Sequence, residues 1–266
     1  MDTPEDRSRR AVAASARLLT AARLVGLVPA VVVAVLAGVL LAWWIGLVLL
    51  VVLTLGWLGF VEVRRRGVIE RALASVGPTR PSAGDHPRWE NVIDGLSSST
   101  GVGDPELLVV DSPSANAAAL VHDGRVVLVA TTGLADGLSQ VELEAVGANL
   151  LARVRNGAAE LSTVAVGLPG PGLAGTSFVA RTLVAGLGEQ HAVRSDLDAA
   201  GLTRYPPGVA RALRSIDQRG TVVDGALPSS APLWFVPAVG AEQVPETVAA
   251  TVMQPTGLRV AVVEEL

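Results

Sequence analysis

The pattern of apolar and polar positions divides the chain early. From position 24 to position 61 it runs 38 residues without a charge, through Val31, Leu40, Trp43, Trp44, Leu49, Leu55 and Phe60. As one helix this run would extend roughly 57 Å at ~1.5 Å per residue, nearly twice a hydrocarbon core of ~30 Å, so it predicts two membrane spans. They fall near residues 18–41 and 45–63, with a tight turn at Ala42, Trp43 and Trp44, where indole rings suit the interface. Residues 68–73 continue the second span as a helix, and Gly77, Pro78, Pro81 and Gly84 break it into a linker that ends near His86.

After the linker the periodicity changes. Residues 90–98 read as helix, and 106–111 (ELLVVD) and 126–130 (VVLVA) read as β-branched strands expected to pair. Residues 139–156 carry Val141, Ala145, Ala148, Leu151, Ala152 and Val154 at helical spacing, with Ser139 as N-cap and Glu142 three positions on. Two more helices are expected at 192–202 and 208–216, separated by Tyr205, Pro206 and Pro207, and 233–236 as a short strand or extended segment. The stretch 161–188 is apolar but holds Arg181, two prolines and many glycines, which leaves a further membrane insertion and a surface segment both open. The fold class is therefore a mostly helical α+β chain: an N-terminal segment (1–17), a transmembrane hairpin (18–63), a juxtamembrane helix and linker (64–85) and a domain with a small β-sheet (86–266).

Charge sets the expected orientation. Arg7, Arg9, Arg10, Arg17 and Arg23 precede the hairpin and Arg64, Arg65, Arg66 and Arg71 follow it, while the turn has no basic residue. By the positive-inside rule both ends are cytoplasmic, and the second span following at once argues against a cleaved signal peptide. Half of the residues are apolar, 17% are charged and the mean hydropathy is +0.48, too apolar for an ordinary soluble domain. The net charge of -4 argues against a nucleic-acid partner, because phosphate neutralisation needs a basic face. All 21 basic residues are arginine, the codon bias of a GC-rich bacterial genome, which makes the expected location a bacterial plasma membrane.

Candidate chemistry is scarce. With no cysteine and three histidines (His86, His122, His191), thiolate metal sites and cysteine nucleophiles are excluded. His122, Asp123 and Gly124 read as a turn between two strands, and His86 as a solvated linker residue. Ser112 and Ser114 lack the G-x-S-x-G setting of a catalytic serine, and the glycines of 167–175 lack the ending of a phosphate loop.

The order of segments resembles the HtpX-type membrane zinc metallopeptidases, relatives of the CAAX prenyl proteases. Residues 109–116 (VVDSPSAN) with Ala117 look like the family's strand and Asn-Ala turn, in which Asn116 is the asparagine, and 129–134 (VATTGL) resemble its Thr-Thr-Gly-Leu strand end. Residues 142–156, ELEAVGANLLARVRN, are similar to the family helix E-L-x-A-V-x-A-H-E-L-A-H-V-x-N, with Glu142 and Asn156 at its two ends. Residues 195–213 (SDLDAAGLTRYPPGVARAL), 232–236 (PLWFV) and 254–266 look like the segment after the third zinc ligand and the closing portion. The resemblance implies a zincin-like cytosolic domain.

The departures fall on the chemistry. Where the family has H-E-x-x-H, two histidines on one helix face holding zinc and a glutamate activating water, this chain has Asn149, Leu150 and Arg153. The third ligand, a glutamate four residues before the aspartate matched by Asp196, falls on Ala192. No zinc is expected to bind, since guanidinium carries a fixed positive charge and leucine and alanine offer no donor; His191, one residue off, cannot rescue the site alone. If Arg153 keeps the inward direction of the lost histidine, Asp196 or Glu142 is its expected partner; otherwise it is a surface arginine. Two functional readings follow: an inactive, bilayer-anchored homologue binding an active paralogue or a membrane-protein client, an edge strand capturing an extended peptide, or an active membrane zinc endopeptidase whose site is non-standard or completed by a partner. A purely structural membrane protein is the third class.

Overall fold

The computed structural model describes residues 3–169, 177–188, 190–244, 248 and 254–266. It opens with α1 (Pro4–Val25), whose start is fixed by a capping box between Thr3 and Asp6 and by proline in the first turn. Gly26 joins it to α2 (Leu27–Leu40), so that 36 residues from Glu5 to Leu40 form nearly one rod. The helix thus begins well before the expected position 18. Capping overrides the change from polar to apolar sequence, which marks only where the environment changes. The turn is also tighter than expected: Leu41 and Ala42 make it, and Trp43 and Trp44 already belong to α3 (Trp43–Arg66), both exposed.

The hairpin packs through small residues. Ala30 and Ala34 of α2 are buried, and a Cβ on Gly46 would lie 2.5 Å from the Ala34 carbonyl oxygen and 2.8 Å from Gly38 Cα. Without a hydrophobic driving force in lipid, such close backbone approach is what holds two helices together. The larger side chains, among them Val31, Val35, Leu47, Val51 and Leu55, point outward. Both helices are long and apolar enough to cross a membrane.

Gly67 separates α3 from α4 (Val68–Val76), and Gly77, at φ 118°, ends α4. The expected linker holds a short edge strand, β1 (Thr79–Pro81), overlooked because proline is tolerated in a sheet only at such an edge. Next come α5 (Pro87–Thr100), β2 (Glu106–Val110), β3 (Ala117–His122) and β4 (Arg125–Thr131). The sheet order is β1-β2-β4-β3: β2 and β4 pair as expected, in parallel, and the other two pairs are antiparallel. β3 was not expected, because all six of its residues are buried and three are alanine, which removes the alternation that betrays a strand. Asp123 (φ 49°) and Gly124 (φ 81°) form the β3–β4 turn, the left-handed pair of a two-residue hairpin.

The further helices bounded among the described residues are α6 (Thr132–Gly137), α7 (Gln140–Arg155), α8 (Ala158–Gly167), α9 (Ser177–Leu187), α10 (His191–Thr203), α11 (Pro206–Arg219) and α12 (Thr256–Glu264); α6, α7 and α8 pack on the sheet, α9 on α1 and α8, and α10 and α11 on α7. The Thr-Thr-Gly-Leu element is a helix start rather than a strand end beyond Thr131, whose hydroxyl accepts from the Leu134 N–H and caps α6. In α7 the capping box of Ser139 and Glu142 forms. Pro228–Leu233 is a 3-10 helix, and the extended stretch begins only at Trp234. Within 161–188, α8 and α9 are ten and eleven residues long, each too short for a span; part of the glycine-rich 167–175 lies outside the described residues.

One face of the sheet packs with α7 in the centre of a core that includes Trp89, Ile93, Leu128, Val146, Leu150, Leu151, Leu213 and Phe235. The opposite face packs on Ile69, Ala72 and Val76 of α4 and on Trp234. A separate cluster joins Ala11, Ala14 and Leu18 of α1 to Leu161 and Val164 of α8 and Leu183 and Leu187 of α9. The part of α1 that precedes residue 18 is therefore a packed helix.

Candidate functional site

The positions that match the family's zinc site meet where α7, α10, α12 and the 232–236 segment converge. Asn149 and Arg153 lie one turn apart on α7 and both face inward, at 1% and 3% exposure. Asn149 Nδ2 donates to Asp196 Oδ1 on α10 at 3.0 Å. Asp196 is fully buried and also receives two bonds from Arg259 of α12, Nε to Oδ2 at 2.7 Å and Nη2 to Oδ1 at 2.8 Å. The Arg259 Nη1 donates to the Phe235 carbonyl at 3.1 Å, and its guanidinium sits 4.8 Å from the Phe235 ring centre.

Arg153 therefore does not take the carboxylate expected for it. Arg259 already holds Asp196 in bidentate fashion, and Glu142 is used at the other end of α7, accepting from Ser139 and Ser215. The Arg153 guanidinium instead donates to the Trp234 carbonyl at 3.0 Å and to the Pro232 carbonyl. Burial, then the neighbouring Arg259, pushes its pKa down to about 10 against the pull of Asp196. It stays charged near neutrality.

The remaining positions add no donor. Leu150 is completely buried in the apolar core, and Ala192 contributes only its backbone N–H, which donates to Gln254 Oε1 at 3.0 Å. His191 is buried, and its Nε2 has no partner among the described residues. Burial, then Arg153, Arg259, Arg7 and Arg194, holds its pKa well below the usual histidine value, so it remains neutral. Among the described residues no three His, Cys, Asp or Glu side chains come together in a way that could hold a metal. Tested on this donor set, zinc does not fit: one amide, one methyl, one isobutyl group and a fixed cation stand where two imidazoles and two carboxylates would be needed.

Asn116 and Asn156 are braces. Asn116, fully buried, donates to the Thr221 and Val236 carbonyls at 3.1 and 2.6 Å and accepts from the Ala117 and Val236 N–H groups at 2.9 and 3.3 Å. It ties the start of β3 to the closing segment. Asn156 ends α7, accepts from the Ala158 N–H at 3.0 Å and reaches Asp198 at 3.4 Å, the carboxylate that Arg7 of α1 grips at 2.7 and 2.9 Å.

One expectation needs correction beside the Arg153 partner. His86 is buried rather than solvated, because the linker folds back and its Nδ1 meets Asp136 at 2.8 Å. Of the two edge strands, β1 and β3, the second is partly covered: Trp234 bridges Ala118, the Phe235 N–H donates to the Ala117 carbonyl at 2.7 Å, and the Val121 N–H donates to Thr163 of α8 at 3.0 Å. The cluster's main member missing from the sequence reading is Arg259. Its signal was present: it is the one charged residue in the otherwise neutral run TGLRVAVV, where a buried charge demands a partner.

Fold and site together define a class: a mostly helical α+β domain on a pair of apolar helices, with a buried polar cluster at the α7–α10 contact. The chain is 32% identical over 193 residues to the protein named Protease HtpX homolog from Dictyoglomus thermophilum, a match covering 60% of this chain and 64% of that one. The Dictyoglomus turgidum protein of the same name matches at the same identity and coverage, and that of Tropheryma whipplei is 27% identical over 197 residues, covering 62% of this chain and 68% of the other. The match thus spans somewhat less than two thirds of the length of the Dictyoglomus relatives. No family model matches the chain, and no solved structure matches it significantly. Across the matched part the chain is similar to these HtpX-type proteins.

Proposed function

We propose that this chain is a catalytically inactive member of its family, a pseudopeptidase that binds no zinc and serves as a bilayer-anchored binding or regulatory module. One observation carries the reading: the buried Arg153 guanidinium stands at the second histidine position and is engaged by two backbone carbonyls, Pro232 and Trp234. A dication placed beside Arg153 and Arg259 would meet two fixed positive charges with Asp196 already committed to one of them. Leu150 cannot accept a proton from water, so the general-base role has no occupant.

The basic residues at both ends of the hairpin support a placement in a bacterial plasma membrane with both chain ends in the cytosol. The partner in this reading is an active paralogue or a membrane-protein client. Because Trp234 and Phe235 lie along the β3 edge, that partner is engaged by surfaces other than strand addition there.

The test is metal content by atomic spectrometry together with chelator-sensitive casein cleavage, both on the detergent-purified full chain. The reading expects neither stoichiometric zinc nor cleavage above a no-protein control. Bound zinc with chelator-sensitive activity would overturn it in favour of an active endopeptidase with a non-standard site.

A further inference from the structure

Basic side chains without a carboxylate partner gather at one height of the molecule. Arg17 and Arg23 lie on the exposed side of α1 and Arg181 on the exposed side of α9, and among the described residues none of the three forms an ion pair. α9 contains no acidic residue, and the only acids of α1, Glu5 and Asp6, are at its far end. The excess of positive charge here contrasts with the net -4 of the whole chain.

Packing fixes that height. Gly186 lies against Ala14, and Gly188 beside the Arg10 guanidinium, so α9 runs antiparallel to α1. Its first turn is thereby set level with the last turns of α1, and Val179 and Ala180 share a cluster with Ala21, Val25 and Trp57. Arg64 of α3 donates to the Leu168 and Pro169 carbonyls at 3.3 and 2.7 Å, which ties the end of α8 to α3 just past its uncharged stretch. Immediately beyond Arg23 that uncharged run begins. Phe178, 38% exposed, sits in the first turn of α9 at this same boundary.

We propose that the α9 end of the α8–α9 pair and the outer face of α1 form a surface for anionic phospholipids. Phe178 enters the upper acyl region while Arg17, Arg23 and Arg181 pair with headgroup phosphates. Charge complementarity selects this occupant, since three guanidiniums without a carboxylate partner beside an apolar ring match an anionic interface and repel a basic protein. The proposal rests on the hairpin spanning the membrane, and is independent of whether catalysis has been lost.

The absence of cysteine permits a direct test. Phe178→Cys and, as a control farther along α9, Ala185→Cys are each labelled with an environment-sensitive dye in the full chain and placed in nanodiscs of phosphatidylcholine, with or without phosphatidylglycerol. Expected is a blue-shifted, iodide-protected signal at position 178 when phosphatidylglycerol is present, with position 185 aqueous throughout. Adding Arg17→Gln, Arg23→Gln and Arg181→Gln should remove the lipid preference by about fivefold per arginine. The same signal in both lipid mixtures, or an undiminished response in the triple variant, overturns the proposal. Both faces of a disc are open, so a reversed topology would not mimic failure; a chain that does not enter discs would refute the spanning reading itself.

Discussion

Replacing Asp196 by Asn is the sharpest probe of the buried cluster. The change keeps the shape of the side chain and removes the one negative charge that faces Arg259, Arg153 and Asn149. Arg259, at 1% exposure, would keep the Phe235 carbonyl and ring but face a neutral amide with one acceptor oxygen in place of the carboxylate, and Arg153 would lose the anion that partly offsets its own burial. Removing one partner of a buried ion pair costs about 3–5 kcal/mol, because a desolvated charge is left uncompensated. At ~2–4 °C per kcal/mol for a chain of this size, the thermal midpoint should fall by roughly 6–20 °C. The assay is thermal unfolding in detergent followed by tryptophan fluorescence, to which the buried Trp89 and Trp234 contribute. The double variant Asp196→Asn with Arg259→Met should be more stable than the single one, since no orphan charge remains on α12. A single variant within about 1 kcal/mol of the parent, or a double variant showing the plain sum of both losses, would refute the reasoning.

Three further outcomes are expected. The His191 pKa is depressed by burial and by Arg153, so the unfolded chain takes up a proton below pH ~6.5 that the folded chain refuses; this contribution is present above that pH and lost below it at about 1.4 kcal/mol per unit. His191→Gln should flatten the acid limb of a stability-against-pH curve, and an unchanged slope would contradict the assignment. Gly46→Val should loosen the hairpin by about 1–3 kcal/mol, because the added Cβ meets backbone atoms of Ala34 and Gly38, whereas Gly59→Val, with open space around it, should change little in the same detergent unfolding assay. Asn116→Ala leaves two half-buried carbonyls and two N–H groups without their side-chain partner and should cost about 2–4 kcal/mol, read as faster limited proteolysis near 221–236.

What the sequence displayed depended on whether local pattern and final environment agreed. The hairpin, the α7 capping box and the 123–124 turn were legible because each rests on short-range chemistry: an uncharged run, a serine and glutamate three apart, a glycine beside an aspartate. β3 was not, since strands buried throughout lose their alternation, and an alanine run has no strand preference of its own. The positions of the candidate site could be located by resemblance, but their bonding could not. That Arg153 meets carbonyls instead of Asp196 depends on Arg259, 106 positions further along the chain, reaching the carboxylate first. Likewise the burial of His86 follows from Asp136, fifty positions away.

The near-continuous helix from Glu5 to Leu40 has a mechanical consequence. It is a rod of about 54 Å that enters the bilayer at one end and at the other is clamped by Arg7 to Asp198, two residues from Asp196. A stiff member pinned at both ends acts as a lever: tilting of the span, as hydrophobic thickness changes, applies torque to α10 directly instead of being absorbed by a slack tether.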